Sequence, residues 1–116
     1  MFQSIVNFAE GIATLEQIRL LQRMPDAHHL LLDRYQATRK LLIVIRNSNI
    51  DLDDGQKTVI QNAIANLVEV ENILEKSVAT KTPFKSVKHN AILSGDIDGL
   101  LAVLTQLKVQ TNGVLN

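Results

Sequence analysis

Only two prolines, Pro25 and Pro83, occur in 116 residues, and both fall between segments whose apolar residues recur at steps of three and four. Proline lacks the amide donor and clashes with the preceding turn. Long proline-free segments with that period therefore read as helices, and the prolines mark breaks between them. The expected fold is all-α: a four- to five-helix bundle forming one domain over residues 1–116.

The first predicted helix runs from about Phe2 to Arg23, with Ile5, Phe8, Ile12 and Leu15 on one wide apolar face. Gly11 lies inside it, which costs about 1 kcal/mol of helix propensity and invites close approach of a neighbour. The second begins around Pro25 to Ala27 and runs to Arg46, its seam being Leu31, Tyr35, Thr38, Leu42 and Ile45. Asn47, Ser48 and Asn49 break the chain. Asp51 or Asp53 then caps a third helix reaching about Val78, with Ile60, Ala63, Leu67, Val70 and Leu74 as its seam. A short connection between two such helices predicts a long antiparallel hairpin of helices 2 and 3. Thr82-Pro83 reads as the start of a short fourth helix ending at Ser94-Gly95. Asp96 reads as the cap of a fifth, carrying Ile97, Leu100, Leu101, Leu104 and Leu107.

Composition narrows the function classes. Hydrophobic residues make up 46% and charged residues 21%, which is globular rather than disordered. Twelve basic residues balance twelve acidic ones, so no net field draws the chain to nucleic acid. With no cysteine there is neither a disulfide framework nor a thiolate metal site, which fits a reducing compartment. Glu10, Glu16 and Arg19 interrupt the N-terminal apolar region before it reaches membrane-spanning length, and the basic start of a signal peptide is missing. The expected localisation is cytoplasmic.

No constellation of residues carries chemistry. Aligning Asn49, Asp51 and Asp53 with a calcium loop puts Asp54 where the turn glycine belongs and Ile60 where the bidentate glutamate belongs. The acidic residues read instead as an N-terminal cap cluster. His28 and His29 are adjacent and point about 100° apart on a helix, so they do not share a metal. His29 with Asp33 is at most half a site, and no Glu-x-x-His pair supplies the rest. Leu30, Leu31 and Leu32 would crowd a phosphoryl group on either histidine. No nucleophile elbow, phosphate-binding glycine loop or dinucleotide fingerprint occurs. The expectation is no enzyme and no cofactor or metal.

Two features point to surfaces. Lys76, Lys81, Lys85 and Lys88, with His89, form the one local basic excess, which reads first as a solvated connector and second as a patch facing an anionic lipid surface or a protein. Phe84 is the only aromatic near them, which disfavours nucleic-acid stacking. The first fifteen residues of the chain carry one charged side chain, Glu10. The stripe of the first helix suits a bundle core first and a membrane interface second. Ile5, Phe8, Ile12, Tyr35, Lys81, Lys85 and Lys88 are thus the candidate interaction surface.

The helix pattern resembles the N-terminal domains of fungal NLR-like receptors, the HeLo-like group, which are similar in architecture to the four-helix domain of the necroptosis effector pseudokinase. The resemblance begins with the apolar first helix (Ile5, Val6, Ala9, Ile12), Pro25 before the second helix, and Arg39-Lys40-Leu41-Leu42 toward its end. It continues in the heptad-like stretch from Val59 to Leu74, in Phe84-Lys85-Ser86-Val87-Lys88, and in Gly95-Asp96-Ile97 opening into Leu100, Leu101 and Leu104. It covers most of the chain as pattern and spacing, without a diagnostic motif, and this chain is shorter and neutral. The resemblance implies action by assembly and, in some members, membrane disruption through the N-terminal helix.

The function expected from all this is a non-enzymatic module acting through helix-to-helix contact with a protein partner or with itself. A small regulator or secretion-chaperone-like protein with one partner, and a membrane-active amphipathic bundle, are the rival expectations.

Overall fold

A computed structural model describes residues 2–24, 28–48, 50–80 and 87–115, with the side chains of 2, 28, 77, 79–80, 87–96 and 113–115 left aside. Four helices account for nearly all of them: α1 (Phe2–Leu21), α2 (His28–Arg46), α3 (Asp54–Thr80) and α4 (Val87–Leu115). Each helix packs on its neighbour in sequence, and α4 closes the ring on α1; the pairs α1/α3 and α2/α4 lie on the diagonals. Short connections make consecutive helices antiparallel, so the chain runs up-down-up-down. The expected α2/α3 hairpin is present.

At a 1.5 Å rise per residue α3 and α4 are about 40 and 44 Å long, against about 30 Å for α1 and α2. The long pair therefore outruns the short pair, and the molecule is a rod of 49 × 22 × 19 Å. Its radius of gyration of 14.6 Å exceeds the roughly 13 Å of a rounder chain this size.

Local hydrogen bonds set the end of α1 and the start of α3. After Leu21 the coil tightens, with Arg23 donating to the Leu20 carbonyl at 3.2 Å and Met24 to the Leu21 carbonyl at 3.0 Å. At the start of α3 the Gln56 amide donates to Oδ1 of Asp53 at 2.7 Å, and the Asp53 amide donates to Oε1 of Gln56 at 3.1 Å. This is a reciprocal capping box, and it gives Asp53 the structural part that the acidic loop suggested. The helix start expected around Pro25 to Ala27 lies outside the described residues, as does Thr82-Pro83.

One boundary is corrected. Ser94-Gly95-Asp96 carries stop and start signals, yet α4 continues through them as one helix. A glycine inside a helix and a forgone cap each cost about 1 kcal/mol. The apolar seam of Ile97, Leu100, Leu104 and Leu107 is buried against the other helices, and that burial outweighs both. Beside it Arg19 on α1 pairs with Asp98 on α4.

The core takes one stripe from each helix: Phe8, Leu15 and Ile18; Leu31, Tyr35, Leu42 and Ile45; Ile60, Ala63, Leu67, Val70 and Leu74; Ile97, Leu100, Leu104 and Leu107. Gly11 is buried among them. A Cβ there would stand 2.8 Å from Cδ1 of Leu104 and 3.2 Å from Cδ2 of Leu41, so α1 fits between α2 and α4 because this position has no side chain. Buried polar groups are satisfied: Thr38 donates its hydroxyl to the Arg34 carbonyl at 2.9 Å, and no buried side-chain nitrogen or oxygen among the described residues lacks a partner.

Candidate interaction surface

The bundle divides the residues expected at a surface. Phe8 is 0% exposed and Tyr35 1% exposed, so both are core residues of the folded chain rather than surface anchors. Tyr35 is a large apolar body with a polar tip, and Nε2 of Gln22 donates to its hydroxyl oxygen at 2.8 Å. Burial pushes the phenol up to about 12, and the Gln22 hydrogen bond offsets this in part. Ile5 is half-buried, and Ile12 is half-buried against the core. Lys81 and Lys85 lie outside the described residues. Lys88 falls within α4, with its side chain outside the description.

Exposed apolar residues gather elsewhere, on the outer face shared by α1 and α2. Leu20 is 65% exposed, Met24 55%, Leu30 48% and Val44 52%, with Val6 at 37%. On α1, Val6, Ala13 and Leu20 are spaced seven apart; on α2, Leu30, Ala37 and Val44 are spaced seven apart. A seven-residue apolar repeat is the spacing by which one helix packs along another. The core stripe of each helix is satisfied inside the bundle, so this second stripe faces outward.

Two contacts set the heights of α1 and α2 along this face. Nη1 of Arg34 donates to Oε1 of Gln17 at 3.3 Å across the groove, and the Gly11 position meets Leu41. Gln17 is therefore level with Arg34, and Gly11 with Leu41. Counting along the antiparallel pair puts Leu20 beside Leu30, Ala13 beside Ala37 and Val6 beside Val44, each within a turn. At the upper end, Gln17, Leu20, Leu21, Met24, Leu30 and Arg34 line an open groove of 490 Å³. Arg34 also donates to Oδ2 of Asp33 at 2.7 Å, which neutralises much of its charge.

Other exposed valines, Val68 and Val78 on α3 and Val109 on α4, stand apart from this face and belong to ordinary surface. Among the described residues no group of three or more His, Asp or Glu is placed to hold a metal ion, and no helix is long and apolar enough to cross a membrane. The outer stripe of Leu20, Met24 and Leu30 was overlooked in the sequence because the stronger inward seam dominates the pattern. Its seven-residue spacing on two successive helices was the available signal.

Comparison with family models, with curated proteins and with solved structures finds no match. The HeLo-like resemblance therefore rests on helix pattern alone.

Proposed function

We propose that this chain is a non-catalytic, cytoplasmic interaction module that docks helical protein surfaces on the outer face of α1 and α2. One observation carries the reading: an exposed apolar heptad on each of two adjacent helices, at matching heights. Contiguous exposed apolar surface of this kind is costly in water and marks contact sites. The resemblance to domains that act by assembly agrees with it. A small regulator or chaperone with one dedicated partner would use the same face. Membrane action through α1 is less well supported, because Phe8 would have to leave the core for the bilayer.

The test is a paired comparison of wild type with a Leu20→Asp, Leu30→Asp variant, both shown to be folded by circular dichroism. Wild type should form a specific protein complex, with itself or another chain, which the variant loses. A wild type that remains monomeric and recovers no partner that distinguishes it from the variant overturns the reading.

A further inference from the structure

We propose that the partner on this face is a second copy of the chain, docked so that α1 of each protomer lies on α2 of the other about a two-fold axis parallel to the helices. The inference rests on the interaction reading above and specifies its occupant. Such an axis preserves height. The groove already sets Leu20 level with Leu30, Ala13 with Ala37 and Val6 with Val44 to within a turn. Each apolar position of one protomer therefore meets its counterpart on the partner without adjustment of register.

Small residues fall at the middle of both strips. Ala13 and Ala37 are exposed and level, which lets facing helices approach to about 8 Å while larger side chains pack above and below. Charge agrees with the same arrangement. Glu10, four residues from Val6 and three from Ala13, borders the exposed α1 strip, as Glu16 does nearer Leu20; on α2, Lys40 borders the strip close to the height of Glu10, and Asp33 borders it nearer Leu30. Exchange of α1 and α2 across the axis brings Glu10 of one copy beside the partner's Lys40, and does so twice. The other isologous arrangement, with the axis across the helices, faces α1 with α1 and separates that pair.

Size gives the expected strength. A face about 30 Å long and two helices wide covers roughly 600 Å² per protomer. The total of roughly 1,200 Å² is at the lower limit for specific interfaces, so the dimer should be reversible and concentration-dependent.

Sedimentation equilibrium of the full chain over a concentration series is the test. Wild type is expected to dimerise with a Kd on the order of 10 μM. Leu30→Asp should weaken this by roughly 30-fold while leaving the helical spectrum of the monomer unchanged. Glu10→Lys and Lys40→Glu should each weaken it by roughly tenfold, and the double swap should return it to within a few-fold of wild type. A double swap no tighter than the single variants overturns the docking. So does a wild type that is monomeric throughout. If that monomer still captures a protein partner that Leu30→Asp loses, self-docking falls and the interaction reading stands; if it captures none, both fall.

Discussion

Nε of Arg39 on α2 donates to Oε2 of Glu71 on α3 at 2.6 Å, with the carboxylate only 7% exposed. The bond holds the Arg39 guanidinium above its ordinary range, first through the hydrogen bond itself and then through the charges of Glu71 and Glu75. Truncating one partner leaves the other charge poorly solvated. Arg39→Ala is expected to lower the unfolding free energy by about 2 kcal/mol, and an Arg39→Leu, Glu71→Leu pair to recover most of that. Urea denaturation of the three proteins checks it. Equal stability of Arg39→Ala and wild type would remove the pair from the account of how α2 and α3 are held.

Two helix glycines should respond in opposite directions. Gly11→Ala gains about 1 kcal/mol of helix propensity, and its Cβ intrudes on Leu104 and Leu41 in a filled core. The net expectation is a loss of about 1 kcal/mol, deepening in Gly11→Val. Gly99→Ala places its Cβ 3.8 Å from Cγ1 of Val59, an ordinary contact, and should raise stability by about 0.5–1 kcal/mol. Thermal melts of the two alanine variants, shifted to opposite sides of wild type, are the expected result.

The capping box at α3 gives a graded pair. Asp53→Ala removes the acceptor for the Gln56 amide and is expected to cost about 1 kcal/mol. Gln56→Ala removes the bond back to the Asp53 amide and also a packed side chain, since Gln56 is 4% exposed. Asp53→Asn, which retains an acceptor, should stay within about 0.5 kcal/mol of wild type. Denaturant midpoints measured in parallel would rank these.

Tyr35 predicts an alkaline limit to stability. Its phenol is raised from 10.0 to about 12 in the folded chain, so the unfolded state ionises first as pH rises. The associated stability is fully present below pH 10 and is lost as pH climbs toward about 12, to a maximum of roughly 3 kcal/mol. Tyr35→Phe forfeits the Gln22 hydrogen bond, about 1 kcal/mol at neutral pH, and should flatten this part of the pH profile. Unfolding free energies at about pH 8 and about pH 11 for both proteins decide it, and an equally steep fall in the phenylalanine variant would assign the alkaline loss to other groups.

The inward stripes were legible because a helix repeats every 3.6 residues and a core must be apolar. Leu31, Leu42 and Ile45, or Ile60, Leu67 and Leu74, stand where their spacing put them. Gly95-Asp96 does not end a helix, since cap signals are local and weak while the seam beyond them is stabilised by packing on α1 and α3. Phe8 and Tyr35 were misplaced for a related reason. A large aromatic on an apolar stripe looks the same in sequence whether a neighbouring helix or a separate protein covers it.

The sequence by itself determined that this chain is helical and which stripe of each helix turns inward, because the helical period acts within a few residues. Only the tertiary structure decided how the helices pair and how far one slides past the next. Those depend on side chains distant in sequence, such as Arg39 with Glu71 or Gly11 with Leu104. The same packing decided which apolar residues were left over: once α1 and α2 had turned their first stripes to the core, their second stripes came to lie side by side and outward.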